Sequence, residues 1–194
     1  MGYRACSIGE VKCDREHIPY ISKVLATNIM YDRIFLLLTI IMMFGVMQVN
    51  IRAYYKKLYG VISDAHNDKM MFVGLYTCFA LPMIGVFDCK NYLPIHGFFA
   101  VTFFACFAFY GNMLGSALYK NIDKYPESQH KAIQTLKTHS YGLIIILLAL
   151  GVAALVNHVV AAILEWALVL YFINYFSIAA QTNEFYDSVH DEDD

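Results

Sequence analysis

Ile34 to Ile51 reads IFLLLTIIMMFGVMQVNI, an apolar run that meets no charge until Arg52. At a rise of about 1.5 Å per residue, a helix of that length crosses a hydrocarbon core of roughly 30 Å. The run begins after Asp32 and Arg33 and ends in a collar of Arg52, Tyr54, Tyr55, Lys56 and Lys57, the mixture of aromatic and cationic side chains found where helices leave a bilayer. It is a first membrane span, and it sets the fold class: all-α, an integral membrane helical bundle.

Working outward from that run, four more apolar blocks follow. Residues 70–87 (MMFVGLYTCFALPMIGVF) form a second span with Pro82 as an expected kink. A third covers about 95–119, where Gly97, Gly111 and Gly115 allow close helix approach. A fourth covers about 141–156, short enough that it is expected to begin earlier, near Leu136, or to sit where the bilayer is thin. A fifth covers about 159–180, with Asn157-His158 as the only turn before it. Residues 120–139, broken by Pro126, read as a loop containing a short helix along the interface. The organisation is therefore a polar tail 1–33, a five-helix membrane domain 34–181 and an acidic tail 182–194. The tail 1–33 has no apolar region suited to a cleaved signal peptide, so the first span is expected to direct insertion. Cys6 stands where a myristoylation pattern wants Ser or Thr.

Composition agrees. Of 194 residues, 59% are hydrophobic and 15% charged, against about 25% charged in a soluble domain. The mean hydropathy is +0.49. A net charge of −2 without a dense Lys/Arg cluster excludes a nucleic-acid partner. Cys6, Cys13, Cys78, Cys89 and Cys106 form no CxxC pair, which argues against structural zinc; only Cys6, Cys13 and Cys89 share a side on which a disulfide could form. Arg52, Lys56, Lys57 and Lys69 follow span one, and Lys120, Lys124, Lys131 and Lys137 follow span three, whereas the two opposite turns hold only Lys90. The positive-inside rule puts those loops and the C-terminus on the cytosolic or matrix side. Arg4, Lys12, Arg15 and Lys23 pull the other way.

Glu165 lies inside span five, where an uncompensated carboxylate costs several kcal/mol and is a functional-site hypothesis by default. His158 is two helical turns earlier on the same face, and His96 enters span three from the same side. Converging, they could hold a metal, contact a lipid headgroup or lock helices by a buried hydrogen bond; the two histidines could also flank a haem. A lock or headgroup contact through His96, His158, Glu165 and Trp166 is the reading taken, with no catalytic, metal or cofactor role assigned. Gln48, Asn50, Asn112 and Asn174 read as inter-helix glue, and the Met42, Met43, Met47 and Phe98 to Phe109 stripes as packing or lipid-facing surface. Arg52, Lys56 and Lys57 read as an interfacial cationic collar.

Three segments resemble the Frag/DRAM/Sfk family of small multi-pass membrane proteins. They are His158-Val-Val-Ala-Ala-Ile-Leu-Glu-Trp166 with the aromatic run Tyr171 to Phe176, Ile95-His-Gly-Phe-Phe-Ala100, and Ile18-Pro-Tyr-Ile-Ser22. The likeness runs from about Ile18 to Val189 and is most specific at Glu165-Trp166. The family usually has six spans; the one ahead of the Pro-Tyr-Ile-Ser loop is absent here, and the loop before the last span is nearly gone. The resemblance implies a DRAM-like membrane regulator of autophagy or of lipid and GPI-anchor handling in lysosome or ER/Golgi. A relative stripped in this way fits better as a non-catalytic accessory subunit of a larger membrane complex, with a respiratory-chain complex of the mitochondrial inner membrane as first choice. Bound phospholipids, membrane lipids and other membrane-protein subunits are the expected company. No internal repeat and a single deep charge argue against a transporter.

Overall fold

The computed structural model describes residues 19–26 and 28–190, with side chains up to Ala180. Because a bilayer offers no water to backbone N–H and C=O groups, apolar runs must satisfy them internally, and here each does so as a helix. A short α1 (Ile21–Leu25) precedes α2 (Ile29–Lys57), α3 (Asp64–Val86), α4 (Leu93–Lys120), α5 (Glu127–Val156) and α6 (His158–His190). The last five are long and apolar enough to cross a membrane, and no strand occurs among the described residues.

The helices outrun the apolar blocks because polar residues at the interface keep hydrogen-bonding along the same ladder. The short interfacial helix expected in 120–139 is instead the first part of α5, which is unbroken from Glu127. Pro126 stands at its N-cap, where a missing N–H costs nothing, and a 3₁₀ turn, Ile122–Lys124, links it to α4. Local chemistry fixes the turns. The Asn28 side chain accepts from the Met30 N–H at the start of α2, and Asn157 accepts from Val159 and Val160 at the start of α6. Gly60, at φ 73°, supplies the left-handed residue in the turn after α2. Asp88 accepts from the N–H groups of Lys90 and Asn91 and from the Asn91 side chain. These bonds, the Asn91 side chain foremost, hold its carboxyl below the ordinary carboxylate range.

Helices adjacent in sequence pack in order from α2 to α6, and the lower part of α2, Gln48–Lys57, reaches α6. The core between α4 and α6 is aromatic. Phe107 meets Phe172 edge-on with centroids 4.4 Å apart, and Tyr175, fully buried, donates its hydroxyl to the Gly111 carbonyl at 2.9 Å. Tyr54 closes α2 onto α6 by donating to the Ala179 carbonyl at 2.6 Å. Large apolar side chains such as Leu37, Phe72, Val101, Ile145, Leu155 and Leu170 point outward, the pattern of a surface facing lipid.

The three glycines of α4 differ in use. A Cβ on Gly115 would come within 3.2 Å of the Lys137 Cα in α5, and one on Gly111 within 3.2 Å of the Tyr175 ring, whereas Gly97 faces open space and mediates no close approach. Gly115→Leu is therefore expected to destabilise the α4–α5 contact by about 1–3 kcal/mol. Gly97→Leu should leave the thermal midpoint in detergent nearly unchanged; equal midpoints for the two variants would refute the close-approach role of Gly115.

Candidate functional site

Glu165 sits two turns into α6, roughly 10 Å along the helix from His158. Its carboxylate accepts from the Ile21 N–H at 2.8 Å and from the Ser22 N–H. The first amides of a helix have no partner within it. A carboxylate in lipid also needs donors, so the two needs answer each other across the bundle. Three further bonds hold the same segment. The Trp166 indole donates to the Pro19 carbonyl at 3.1 Å, the Tyr20 hydroxyl meets His158 Nδ1 at 3.5 Å, and the Cys89 thiol donates to the Ser22 carbonyl at 3.3 Å. Burial, and then the Glu165 charge, push the Tyr20 phenol upward; burial and then the Asp88 charge push the Cys89 thiol upward.

His96, on the first turn of α4, is 8% exposed and closes the end of α3. Its Nδ1 lies 2.8 Å from the Phe87 carbonyl and 3.2 Å from that of Ile84. Carbonyls only accept, so Nδ1 carries the proton, and in the neutral ring Nε2 is left as an acceptor.

Beneath α1 lies a cavity of about 240 Å³. Ile21, Ser22 and Leu25 roof it; Phe35, Leu38, Thr39 and Met42 of α2 form one wall, and Glu165, Val169, Phe172 and Ile173 of α6 the opposite one. Ala100, Phe103 and Phe104 of α4 form the back. Leu38 and Ile173 are each more than half exposed, so the space opens sideways between α2 and α6, toward lipid. Its geometry follows from the packing of α2, whose upper part lies against α3 while its lower part reaches α6. A π-helical stretch, Ile41–Met47, falls at the changeover and widens the turn beside Met42.

Of the residues singled out from sequence, His96 and Glu165 share this cavity. His158 and Trp166 lie outside it and hold the segment that roofs it. Arg52, Lys56 and Lys57 are at the opposite end of α2. Among the described residues, no group of three His, Cys, Asp or Glu side chains converges on a point. Glu165 takes backbone amides as partners, and no bond between it and either histidine is among the described contacts. Sequence reasoning named Ser22, Cys89, Met42 and Phe104 but did not link Cys89 to Ser22, whose positions lie 67 apart, nor see that Leu38, Met42 and Phe104 wall one space. The Pro-Tyr-Ile-Ser segment and the Glu-Trp pair were each visible, but no spacing rule links residues 144 positions apart.

The family model described as the Frag1/DRAM/Sfk1/Cwh43P N-terminal domain matches residues 3–187. The chain belongs to the Frag1/DRAM/Sfk1 family. No curated protein and no solved structure matches it. Membership and five apolar helices together make this DRAM-like chain an integral membrane protein. The segments that carried the resemblance, Pro19 to Ser22, His96 and Glu165-Trp166, all meet at the one roofed end of the bundle.

The Glu165 contact makes a sharp prediction. Glu165→Gln keeps an oxygen that accepts from Ile21 and should leave α1 seated, whereas Glu165→Leu should release it. Release uncovers Cys89, so its alkylation by a maleimide at mildly alkaline pH, followed on the Cys89 peptide by mass spectrometry, should rise several-fold in the Leu variant only. Unchanged alkylation in the Leu variant would show that the carboxylate does not hold α1.

Proposed function

We propose that this DRAM-like membrane protein is a non-catalytic, lipid-holding accessory subunit of a larger membrane assembly. The observation that carries the lipid-holding part is the roofed, sideways-open apolar cavity between α2 and α6. The polar groups around it support a non-catalytic role. The Glu165 carboxylate is engaged by the amides of Ile21 and Ser22, and His96 Nδ1 by the carbonyls that end α3. Deeper in the bundle, Tyr54 and Tyr175 are engaged by carbonyls of neighbouring helices. Such bonds brace the helices against one another.

The subunit reading draws support from α6, which continues to His190, past the last apolar residues of the fifth span. That extension would give a neighbouring subunit a helix to grip on the side of the two cationic loops. Large mitochondrial inner-membrane complexes of the respiratory chain are the favoured setting, because small extra subunits of this size accompany their catalytic cores. Bound phospholipids would fill the outward grooves. The second reading, a free-standing regulator in lysosomal or ER/Golgi membranes, follows from the family scaffold.

Mild-detergent extraction, native gel separation and mass spectrometry of the co-migrating proteins decide between them. Stoichiometric co-migration with membrane subunits, respiratory ones foremost, is the expected result; migration alone or as a small homo-oligomer would favour the regulator. Orientation is tested separately. A membrane-impermeant maleimide applied from the cytosolic or matrix side is expected to label a cysteine placed at Asn121, in the loop after α4, and to miss Cys89 at the other end; the reverse pattern would invert the topology.

A further inference from the structure

The cavity is selective in its chemistry, and its selectivity is read from what lines its polar end. Three polar residues line it there: Glu165, His96 and Ser22. The bond from His96 to the Phe87 carbonyl commits Nδ1 as donor, and Nε2, on a side chain more than nine-tenths buried, has no hydrogen bond among the described contacts, with Asp32 and Asp88 within electrostatic reach of the ring. Glu165 accepts from two backbone amides, yet a carboxylate has about four lone-pair positions, so accepting capacity remains. Among the described residues no lysine or arginine lines the space; Lys23 of the roof places its Nζ over the Tyr20 ring. The polar end is thus rich in acceptors, while the other described walls are apolar apart from Thr39, whose hydroxyl donates to the Leu36 carbonyl.

The geometry points to a binding site for a single-chain lipid whose head donates hydrogen bonds and carries no phosphate or carboxylate, the chemical class of long-chain amino alcohols. The chain enters sideways between Leu38 and Ile173 and lies against Phe103, Phe104 and Phe172; the head rises to His96 Nε2, Glu165 and Ser22 beneath α1. At about 240 Å³ the space exceeds the roughly 150 Å³ cavity that admits benzene in a soluble core. A phosphate or carboxylate head would set acceptors against acceptors, with no lysine or arginine among the described lining residues to bridge them. An ammonium or hydroxyl head gives each free acceptor a proton. This inference rests on the lipid-holding reading above and adds the identity of the head.

The test uses the full chain in phosphatidylcholine nanodiscs, with radiolabelled sphingosine as probe and stearate and lysophosphatidylcholine as competitors. Saturable binding of sphingosine near one per chain is expected, with each competitor weaker by tenfold or more. His96→Asn retains a donor near the Nδ1 position and deletes the Nε2 acceptor, so it should weaken sphingosine binding by up to about tenfold, the cost of one hydrogen bond. Glu165→Gln, which keeps α1 seated, should weaken sphingosine binding and narrow the margin over stearate. Ala100→Phe should fill the back of the cavity and abolish uptake of all three at an unchanged thermal midpoint. Equal affinity for the three lipids, lost together in Ala100→Phe, would overturn the head-group selectivity and leave the lipid-holding reading standing. No saturable uptake of any would overturn both. If His96→Asn fails to fold, the competitor series and Glu165→Gln still decide.

Discussion

Everything at the outer end of the bundle depends on where the Glu165 carboxylate finds its donors. A charge on a membrane helix must be neutralised, paired or hydrogen-bonded, and here the donors are the unpaired amides that open α1. Those amides would themselves be costly in lipid. One contact thus solves two problems and ties the N-terminal segment to the last span. Trp166 and His158 reinforce it from the same helix, and Cys89 from the turn after α3.

With the roof fixed, the rest of the architecture follows from close packing. Lipid tails are as apolar as leucine, so helices in a bilayer gain little from hydrophobic burial and associate through van der Waals contact and hydrogen bonds. The bundle uses both. Gly115 lets α4 approach the backbone of α5, the rings of Phe103, Phe107 and Phe172 interlock α4 with α6, and the hydroxyls of Tyr54 and Tyr175 reach carbonyls on neighbouring helices. These contacts hold the lower half shut. The upper half of α2 stands off from α6, and the gap is the cavity.

The same division gives the cavity its character. Its walls come from residues that would face lipid in any case, so a hydrocarbon chain exchanges one apolar neighbour for another at little cost. At the polar end, His96 and Glu165 are oriented by backbone partners rather than by each other.

The sequence by itself determined the fold class, the five spans and the family, because apolar run length and interfacial collars are local quantities and the Pro-Tyr-Ile-Ser and Glu-Trp segments are short contiguous strings. It also marked Glu165 and His96 as groups that needed partners, since burial of an ionisable side chain in lipid is visible from position alone. Only the tertiary structure decided who those partners are. Backbone amides and carbonyls have no side-chain signature in a sequence, and the pairing of Ile21 with Glu165 spans 144 positions. The helix boundaries in α5 were hidden for a related reason: residues 127–140 are polar, yet they continue the helix because they lie at the interface, where polarity does not end one. The cavity was illegible for the plainest reason of all. It is a space between α2 and α6, set by where α2 stops touching α6, and no residue encodes a gap.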